Sequence, residues 1–102
     1  MFVIIWTYEI AEESRAAFES AYGPDGVWVR FFREGAGYLG TELLRSGTNR
    51  YVTVDRWESR SGYEAFLERH RGRYAEIDDA CGRLTERERF IGVFESVRTE
   101  KE

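Results

Sequence analysis

Two aromatic residues six positions apart, Trp57 and Tyr63, are the side chains of this sequence best placed to act on a small molecule. Trp57 ends an alternating, β-branched run, and a helical spacing of apolar residues begins within four positions of it. A strand that delivers an aromatic side chain to the start of a helix predicts a crevice between sheet and helix. The Tyr63 phenol, in the first turn, could donate a hydrogen bond to a ligand there. From position alone, a core role is the alternative for both residues.

Two polar residues further along the same helix are candidates for moving a proton or stabilising an oxyanion. His70 follows Tyr63 by two helical turns on the apolar stripe, and Arg73 belongs to the one local cluster of basic residues. A buried neutral histidine and a solvated basic face are the alternatives. One histidine and one cysteine do not supply a typical metal-ligand set, so we predict no metal site.

The aromatic content, 16% of the chain, predicts an aromatic-lined pocket or a buried interface. The aromatic residues expected to line such a pocket are Trp28, Phe31, Phe32, Phe66 and Tyr74.

Composition excludes several classes of protein. The 102 residues predict one domain over 1–98 and a charged tail over 99–102. A net charge of −4 argues against nucleic acid as a partner, because phosphate binding needs a basic surface. The opening apolar run, 2–6, is too short for a signal or membrane-spanning segment, and the single Cys81 precludes an intrachain disulfide. We therefore expect a soluble, cytoplasmic protein with no membrane partner.

The elements that must position these residues follow from periodicity. Strands are predicted at 2–10, 38–45, 50–57 and 89–97, and helices at 11–22, around 27–32, and from 59–61 to about 84 with a break at Gly72. Ser59 and Ser61 are alternative N-caps of the long helix. This order predicts an α+β, ferredoxin-like split βαβ sandwich with an antiparallel four-stranded sheet.

Apolar residues occupy both faces of the first and last predicted strands. Because the helices of this fold cover only one face of the sheet, the other face would stay exposed in a monomer. We therefore predict a homodimer that forms through the sheet faces. Every strand also carries an acidic residue, and a carboxylate inside the dimer would need a partner such as Arg56 or Arg45, or would have a raised pKa.

Several stretches together resemble one known family. They are a Tyr-Gly-Pro-Asp-Gly turn at 22–26, the aromatic short helix after it, a Gly-Tyr-Leu-Gly-Thr-Glu-Leu-Leu-Arg run at 37–45, and Asp-Arg-Trp-Glu-Ser at 55–59 leading to Tyr-Glu-Ala-Phe at 63–66. In these stretches the chain resembles the antibiotic biosynthesis monooxygenase domain family over roughly residues 1–97. The resemblance implies a dimeric α+β barrel, in agreement with the dimer inferred from the strands.

The resemblance also implies an activity. Family members include oxygenases that need no cofactor and turn phenolic polycyclic substrates into quinones, so the implied function is oxidation of a small aromatic or polycyclic phenol. Trp57 matches a strand-end tryptophan and Tyr63 a pocket tyrosine of these members. Thr53 stands where they carry an asparagine, and its hydroxyl could still donate a hydrogen bond to a substrate oxygen.

Two alternatives remain open from the sequence. The missing asparagine favours a non-catalytic barrel that binds an apolar metabolite or a partner. The second comes from the resemblance, because the family also includes haem-degrading enzymes; these imply a helix histidine where Leu67 stands, three positions before His70. We expect an enzyme to present a cavity into which Thr53, Tyr63 and His70 converge, and a binding protein to have these groups paired or packed away.

Overall fold

Four antiparallel strands carry helices on one face, which confirms the predicted α+β, ferredoxin-like sandwich. A computed structural model describes residues 1–97, so the predicted tail at 99–102 lies outside the described residues. The strands are β1 (Phe2–Glu9), β2 (Tyr38–Ser46), β3 (Arg50–Trp57) and β4 (Arg87–Glu95). The helices are α1 (Arg15–Tyr22), α2 (Val27–Phe32), α3 (Arg60–Arg69) and α4 (Arg71–Gly82).

The sheet order is β2-β3-β1-β4, with every neighbouring pair antiparallel. Residues directly opposite each other on antiparallel strands share a face of the sheet. In β1 and β3, Phe2 pairs with Trp57, Ile4 with Asp55 and Trp6 with Thr53. These side chains therefore lie on one face, and the burial of their neighbours identifies it as the face that the helices cover.

The helix boundaries differ from the sequence prediction at two places. The predicted 11–22 helix opens with a 3-10 turn over Glu12–Ser14, and no side chain caps it. The long helix breaks at His70 (φ −117°, ψ 31°) and not at Gly72, which lies in the first turn of α4. Gly72 is helical there despite its low helix propensity. Among residues 1–97 no helix is long and apolar enough to cross a membrane.

The N-cap of α3 is Ser59, one of the two serines that the sequence offered for this role. The Ser59 hydroxyl accepts a hydrogen bond from the Gly62 amide at 3.0 Å. Ser61 lies inside the first turn and does not act as the N-cap. The cap fixes the end of β3 to the start of α3, the segment that carries both Trp57 and Tyr63.

The core consists of two aromatic clusters side by side. The first contains Phe2, Ile4, Phe31, Phe32, Trp57 and Phe66, and the second contains Tyr8, Ile10, Phe18, Tyr22, Tyr51 and Cys81. Trp6, Trp28 and Ile77 pack against both clusters from partly buried positions. The seam between the clusters is therefore incompletely filled, and a cavity lies there.

The last strand begins two residues earlier than predicted and keeps apolar side chains on both faces. The register places Phe90 opposite Trp6, on the helix-covered face, and Phe94 opposite Val3, on the open face. Both remain about half exposed, at 52% and 47%. Leu44, on the open face of β2, is similarly exposed. The exposed apolar face that motivated the predicted dimer is present, and the dimer itself stays a prediction.

Candidate active site

A small cavity lies between the covered face of the sheet and the helices, at the seam of the two core clusters. Most of its wall is aromatic: Trp6, Tyr8, Tyr22, Trp28, Phe32, Tyr63 and Tyr74. Its polar lining is Thr41, Thr53, Asp55, Asp78 and Glu88. The cavity volume is about 50 Å³, room for a few water molecules.

Five residues that the sequence predicted for the site do line this cavity: Trp28, Phe32, Thr53, Tyr63 and Tyr74. They come from three helices and one strand, so the fold brings together residues distant in the sequence. Phe31 and Phe66 do not line it. Their rings pack on each other at 4.9 Å in the core cluster behind Phe32.

Trp57 lies behind the cavity wall and not on it. It is 1% exposed, because α2 and α3 both pack over the end of β3. Its ring meets Tyr63 at 5.4 Å and Phe32 at 5.8 Å, both edge to face, and a Cβ on Gly35 would come within 2.8 Å of it. Within residues 1–97 its indole nitrogen has no hydrogen-bond partner. Trp57 therefore packs against Tyr63 and Phe32 and does not line the cavity, and its predicted contact with a ligand stays a prediction.

His70 and Arg73, the predicted proton-transfer candidates, also lie outside the cavity. The break after Arg69 turns the His70 ring onto Phe66 at 4.6 Å. The Arg73 guanidinium makes two hydrogen bonds with the Glu34 carboxylate, at 2.7 and 2.8 Å. The sequence placed the break of this helix at Gly72, which would keep His70 in line with Tyr63, whereas in the structure the helix ends at His70 itself.

Thr53 is buried in the floor of the cavity and is already paired. Its Oγ1 lies 3.1 Å from the Tyr8 hydroxyl. Burial raises the pKa of Tyr8 above its ordinary value, so that phenol stays protonated and one member of the pair donates to the other. The Tyr63 hydroxyl makes no side-chain hydrogen bond within the described chain, and burial likewise raises its pKa. Tyr63 is therefore a free donor at the cavity wall.

Asp55 is a site residue that the sequence analysis did not single out. The Thr41 hydroxyl donates a hydrogen bond to Asp55 Oδ1 at 2.6 Å, and the Tyr38 hydroxyl lies 2.6 Å from the Thr41 oxygen. Burial raises the pKa of Asp55 to about 6, against a partial lowering by the Thr41 hydrogen bond. The sequence did indicate its position, because side chains alternate between the two faces of a strand. Asp55 therefore lies on the same face of β3 as Thr53 and Trp57.

Neither arginine named as a partner for a strand carboxylate reaches Asp55. Arg56 points to the open face and pairs with Glu42 at 2.8 Å. Arg45 lies 3.6 Å from Glu19 of α1. The Asp55 carboxylate therefore faces the cavity with hydroxyl partners only.

The mouth of the cavity carries two exposed carboxylates, Asp78 and Glu88. Partial burial and the neighbouring Asp78 charge raise the pKa of Glu88 above its ordinary value. In the described part of the chain no lysine, arginine or histidine lines the cavity, and no group of three acidic, His or Cys side chains could hold a metal ion. The electrostatics therefore favour a neutral or cationic ligand over an anionic one.

Comparison with known proteins gives a family and a set of similar folds. The family described as antibiotic biosynthesis monooxygenase matches residues 1–73. No curated protein sequence matches the chain.

Solved structures match over nearly the whole chain. A variant of SnoaB, a cofactor-independent oxygenase from Streptomyces nogalater, is 21% identical with a TM-score of 0.75, covering 99% of this chain and 97% of that one. The monooxygenase ActVA-Orf6 of Streptomyces coelicolor, in complex with nanaomycin D, is 20% identical with a TM-score of 0.74, covering 99% and 91%. MhuD with manganese protoporphyrin IX is 22% identical with a TM-score of 0.69, covering 100% of both chains. At these identities the likeness concerns the fold.

Proposed function

The chain belongs to the antibiotic biosynthesis monooxygenase family, and on that premise we propose that it oxidises a small aromatic or polycyclic phenol with dioxygen, without a bound cofactor. The observation that carries the proposal is the cavity, in which aromatic walls surround the free phenol of Tyr63, two threonine hydroxyls and three carboxyl groups. Aromatic walls suit a planar apolar substrate, and the polar groups can orient its oxygen atoms. SnoaB and ActVA-Orf6, an oxygenase and a monooxygenase, share the fold.

The reaction needs only the substrate and dioxygen. A substrate C–H or O–H group loses a proton, and the resulting anion transfers its electrons to dioxygen and forms a carbon–oxygen bond. The peroxide takes up a proton, and loss of water then leaves a carbonyl group. For a methylene carbon, CH₂ and O₂ become C=O and H₂O, so the four-electron oxidation of carbon balances the reduction of dioxygen. The protein supplies orientation, proton transfer and a dry pocket.

The cavity wall suggests a role for each predicted residue that lines it. The protonated Tyr63 phenol can donate a hydrogen bond to a substrate oxygen whose negative charge is growing. Trp28, Phe32 and Tyr74 supply flat surfaces against the substrate rings. Thr53 can donate only if its pairing with the Tyr8 hydroxyl rearranges.

A cavity of about 50 Å³ cannot hold a polycyclic molecule, so the wall must move when substrate binds. Helix α2 is the element we expect to move. It is six residues long, it follows Gly26, and it contributes Trp28 and Phe32 to the wall. Loop and short-helix motions of this kind accompany closure around substrates in many enzymes.

One observation favours the second candidate function, a non-catalytic barrel that binds an apolar metabolite or partner. The Thr53 hydroxyl already forms a hydrogen bond with the Tyr8 hydroxyl, as expected for a polar group that does not bind a ligand. Tyr63 and Asp55 argue the other way, because each presents a polar group to the cavity without a cationic partner.

Haem, the third possibility, does not fit the cavity. His70 packs against Phe66 and Phe31 in the core, away from the cavity lining. The carboxylates of Asp55, Asp78 and Glu88 would repel the propionates of a porphyrin.

Oxygen uptake by purified protein with a panel of anthrones and hydroquinones tests the proposal. We expect uptake above the protein-free blank with at least one substrate. Tyr63→Phe should lower kcat by about 10-fold or more, since one hydrogen bond to a developing oxyanion is lost. Tyr51→Phe is the matched control, because it removes a phenol that bonds Glu19 outside the cavity. A folded protein that consumes no oxygen with any substrate would support the binding function instead.

A further inference from the structure

Asp55 combines features that a buried structural carboxylate does not need. It lines the cavity from the middle of the sheet and is partly buried. Within residues 1–97 it forms no ion pair, and only Oδ1 receives a side-chain hydrogen bond. Burying a carboxylate without a cation costs stability. A ligand or proton that reaches Oδ2 from the cavity would offset that cost.

The hydroxyl groups behind Asp55 have a defined direction. Thr41 has one hydroxyl proton, and it donates that proton to Asp55 Oδ1 at 2.6 Å. The Tyr38 hydroxyl, 2.6 Å from the Thr41 oxygen, must then be the donor to Thr41. Both hydroxyl dipoles therefore point toward the carboxylate. This chain holds Oδ1 in place and leaves Oδ2 free for the cavity.

We propose that Asp55 is the proton acceptor in the oxidation, with Thr41 and Tyr38 as residues that position its carboxylate. The inference rests on the proposed function and deepens it. Asp55 would touch the substrate and is the catalytic residue here. Thr41 and Tyr38 act through it.

The proton moves in both directions during the reaction. Asp55 Oδ2 takes a proton from an acidic C–H or O–H group of the substrate, whose electron pair stays on the substrate. After the anion has bonded to dioxygen, protonated Asp55 returns the proton to the peroxide oxygen. Loss of water then completes the oxidation, and Asp55 is again ionised.

Other titratable groups face the same cavity, and one of them could imitate Asp55 in a pH profile. They are Tyr8 of β1, Tyr22 of α1, Tyr63 of α3, Tyr74 and Asp78 of α4, and Glu88 of β4. Tyr38 of β2 lies behind the lining, with its hydroxyl against Thr41. Burial raises the pKa of every one of these tyrosines, so they stay neutral near pH 7. The pKa of Glu88 is also raised, so Glu88 needs its own variant in the test.

Two measurements with anthrone test the role of Asp55. The first is anaerobic exchange of the anthrone methylene protons in D₂O, followed by NMR, which reports proton abstraction without any oxygen chemistry. The second is oxygen uptake as a function of pH. In wild type we expect kcat/KM to rise as pH increases through about 6, because the base must be ionised. Asp55→Asn should lower both rates by about 100-fold or more and remove this pH dependence.

Three further variants separate the alternatives. Asp79→Asn removes an exposed carboxylate of the same helix that carries Asp78, and we expect wild-type rates. Glu88→Gln should keep the rise through pH 6. Thr41→Val should shift that rise to higher pH, since the hydrogen bond from Thr41 lowers the pKa of Asp55.

The outcomes distinguish the two proposals. Exchange that depends on Asp55, without oxygen uptake, would support Asp55 as the proton acceptor and overturn the oxidation. Uptake and exchange that survive in Asp55→Asn, or a pH dependence lost in Glu88→Gln, would overturn the role of Asp55 and leave the oxidation standing. A folded wild-type protein that shows neither would overturn both.

Discussion

Asp55 shows, at the scale of a single residue, how a stability cost can mark a site. Its pKa is about 6 in the folded protein and near 4 in an unfolded chain. The folded state therefore binds the proton more tightly, and stability falls as pH rises from about 4 through 6. Stabilising replacements at such positions commonly cost function.

Asp55→Asn should therefore stabilise the protein, increasingly so at higher pH. From the two pKa values, the free energy of unfolding of the variant should exceed that of wild type by about 1 kcal/mol at pH 4.5 and about 3 kcal/mol at pH 7.5. Urea denaturation at both pH values and one protein concentration measures the difference, with Asp79→Asn as the exposed control. An Asn variant less stable than wild type at pH 7.5 would mean that the ionised carboxylate stabilises the fold.

The sequence predicted much of the cavity wall and missed its carboxylate for a definite reason. Tyr63, Tyr74 and Trp28 could be predicted because large aromatic residues at helical spacing must face the sheet. Asp55 shares a face with Thr53, but it was expected only as one of several strand carboxylates, each with an arginine partner or a raised pKa. Alternation along β3 already places Arg56 on the face opposite Asp55, and the structure shows it paired there with Glu42.

At the scale of secondary structure, the strand-to-helix junction decides where Tyr63 lies. Periodicity predicted β3 correctly at Arg50–Trp57, since alternation and the following Ser residues mark both of its ends. The helix break was harder to place. Gly72 has low helix propensity, yet the break occurs at His70, where the ring packs on Phe66. The His70 ring also meets Phe31 of α2 edge to face at 6.1 Å, a contact between elements that sequence periodicity does not report.

Ser59 and Ser61, the two serines that were candidate N-caps of α3, allow a controlled test of the cap. Ser59→Ala should lower the free energy of unfolding by about 1 kcal/mol, because the Gly62 amide loses its partner. Ser61→Ala should change it by less than about 0.5 kcal/mol. Thermal unfolding measures both, and 1 kcal/mol corresponds to about 4–8 °C in a domain of this size. Equal losses in the two variants would contradict the assignment of Ser59 as the cap.

At the scale of the whole molecule, the open face of the sheet is the largest feature that the chain leaves uncovered. The register places Val3, Ile5 and Val52 on that face, and Phe94 and Leu44 stand about half exposed beside them. An apolar patch of this kind on a four-stranded sheet is typical of an interface between identical subunits. The helix-covered face holds the cavity, so pairing of the open faces would leave the mouth of the cavity accessible.

The dimer that we propose through this face should depend on Phe94. In a two-fold interface each substitution occurs twice, so Phe94→Lys should cost about 3 kcal/mol per dimer and raise its dissociation constant by roughly 100-fold. Leu44→Lys should act in the same direction. Ala65→Lys adds the same charge to an exposed position of α3 and should leave the assembly intact. Sedimentation of the wild type as a monomer at micromolar concentration would contradict the dimer, and dimers of equal stability in all three variants would move the interface to another surface.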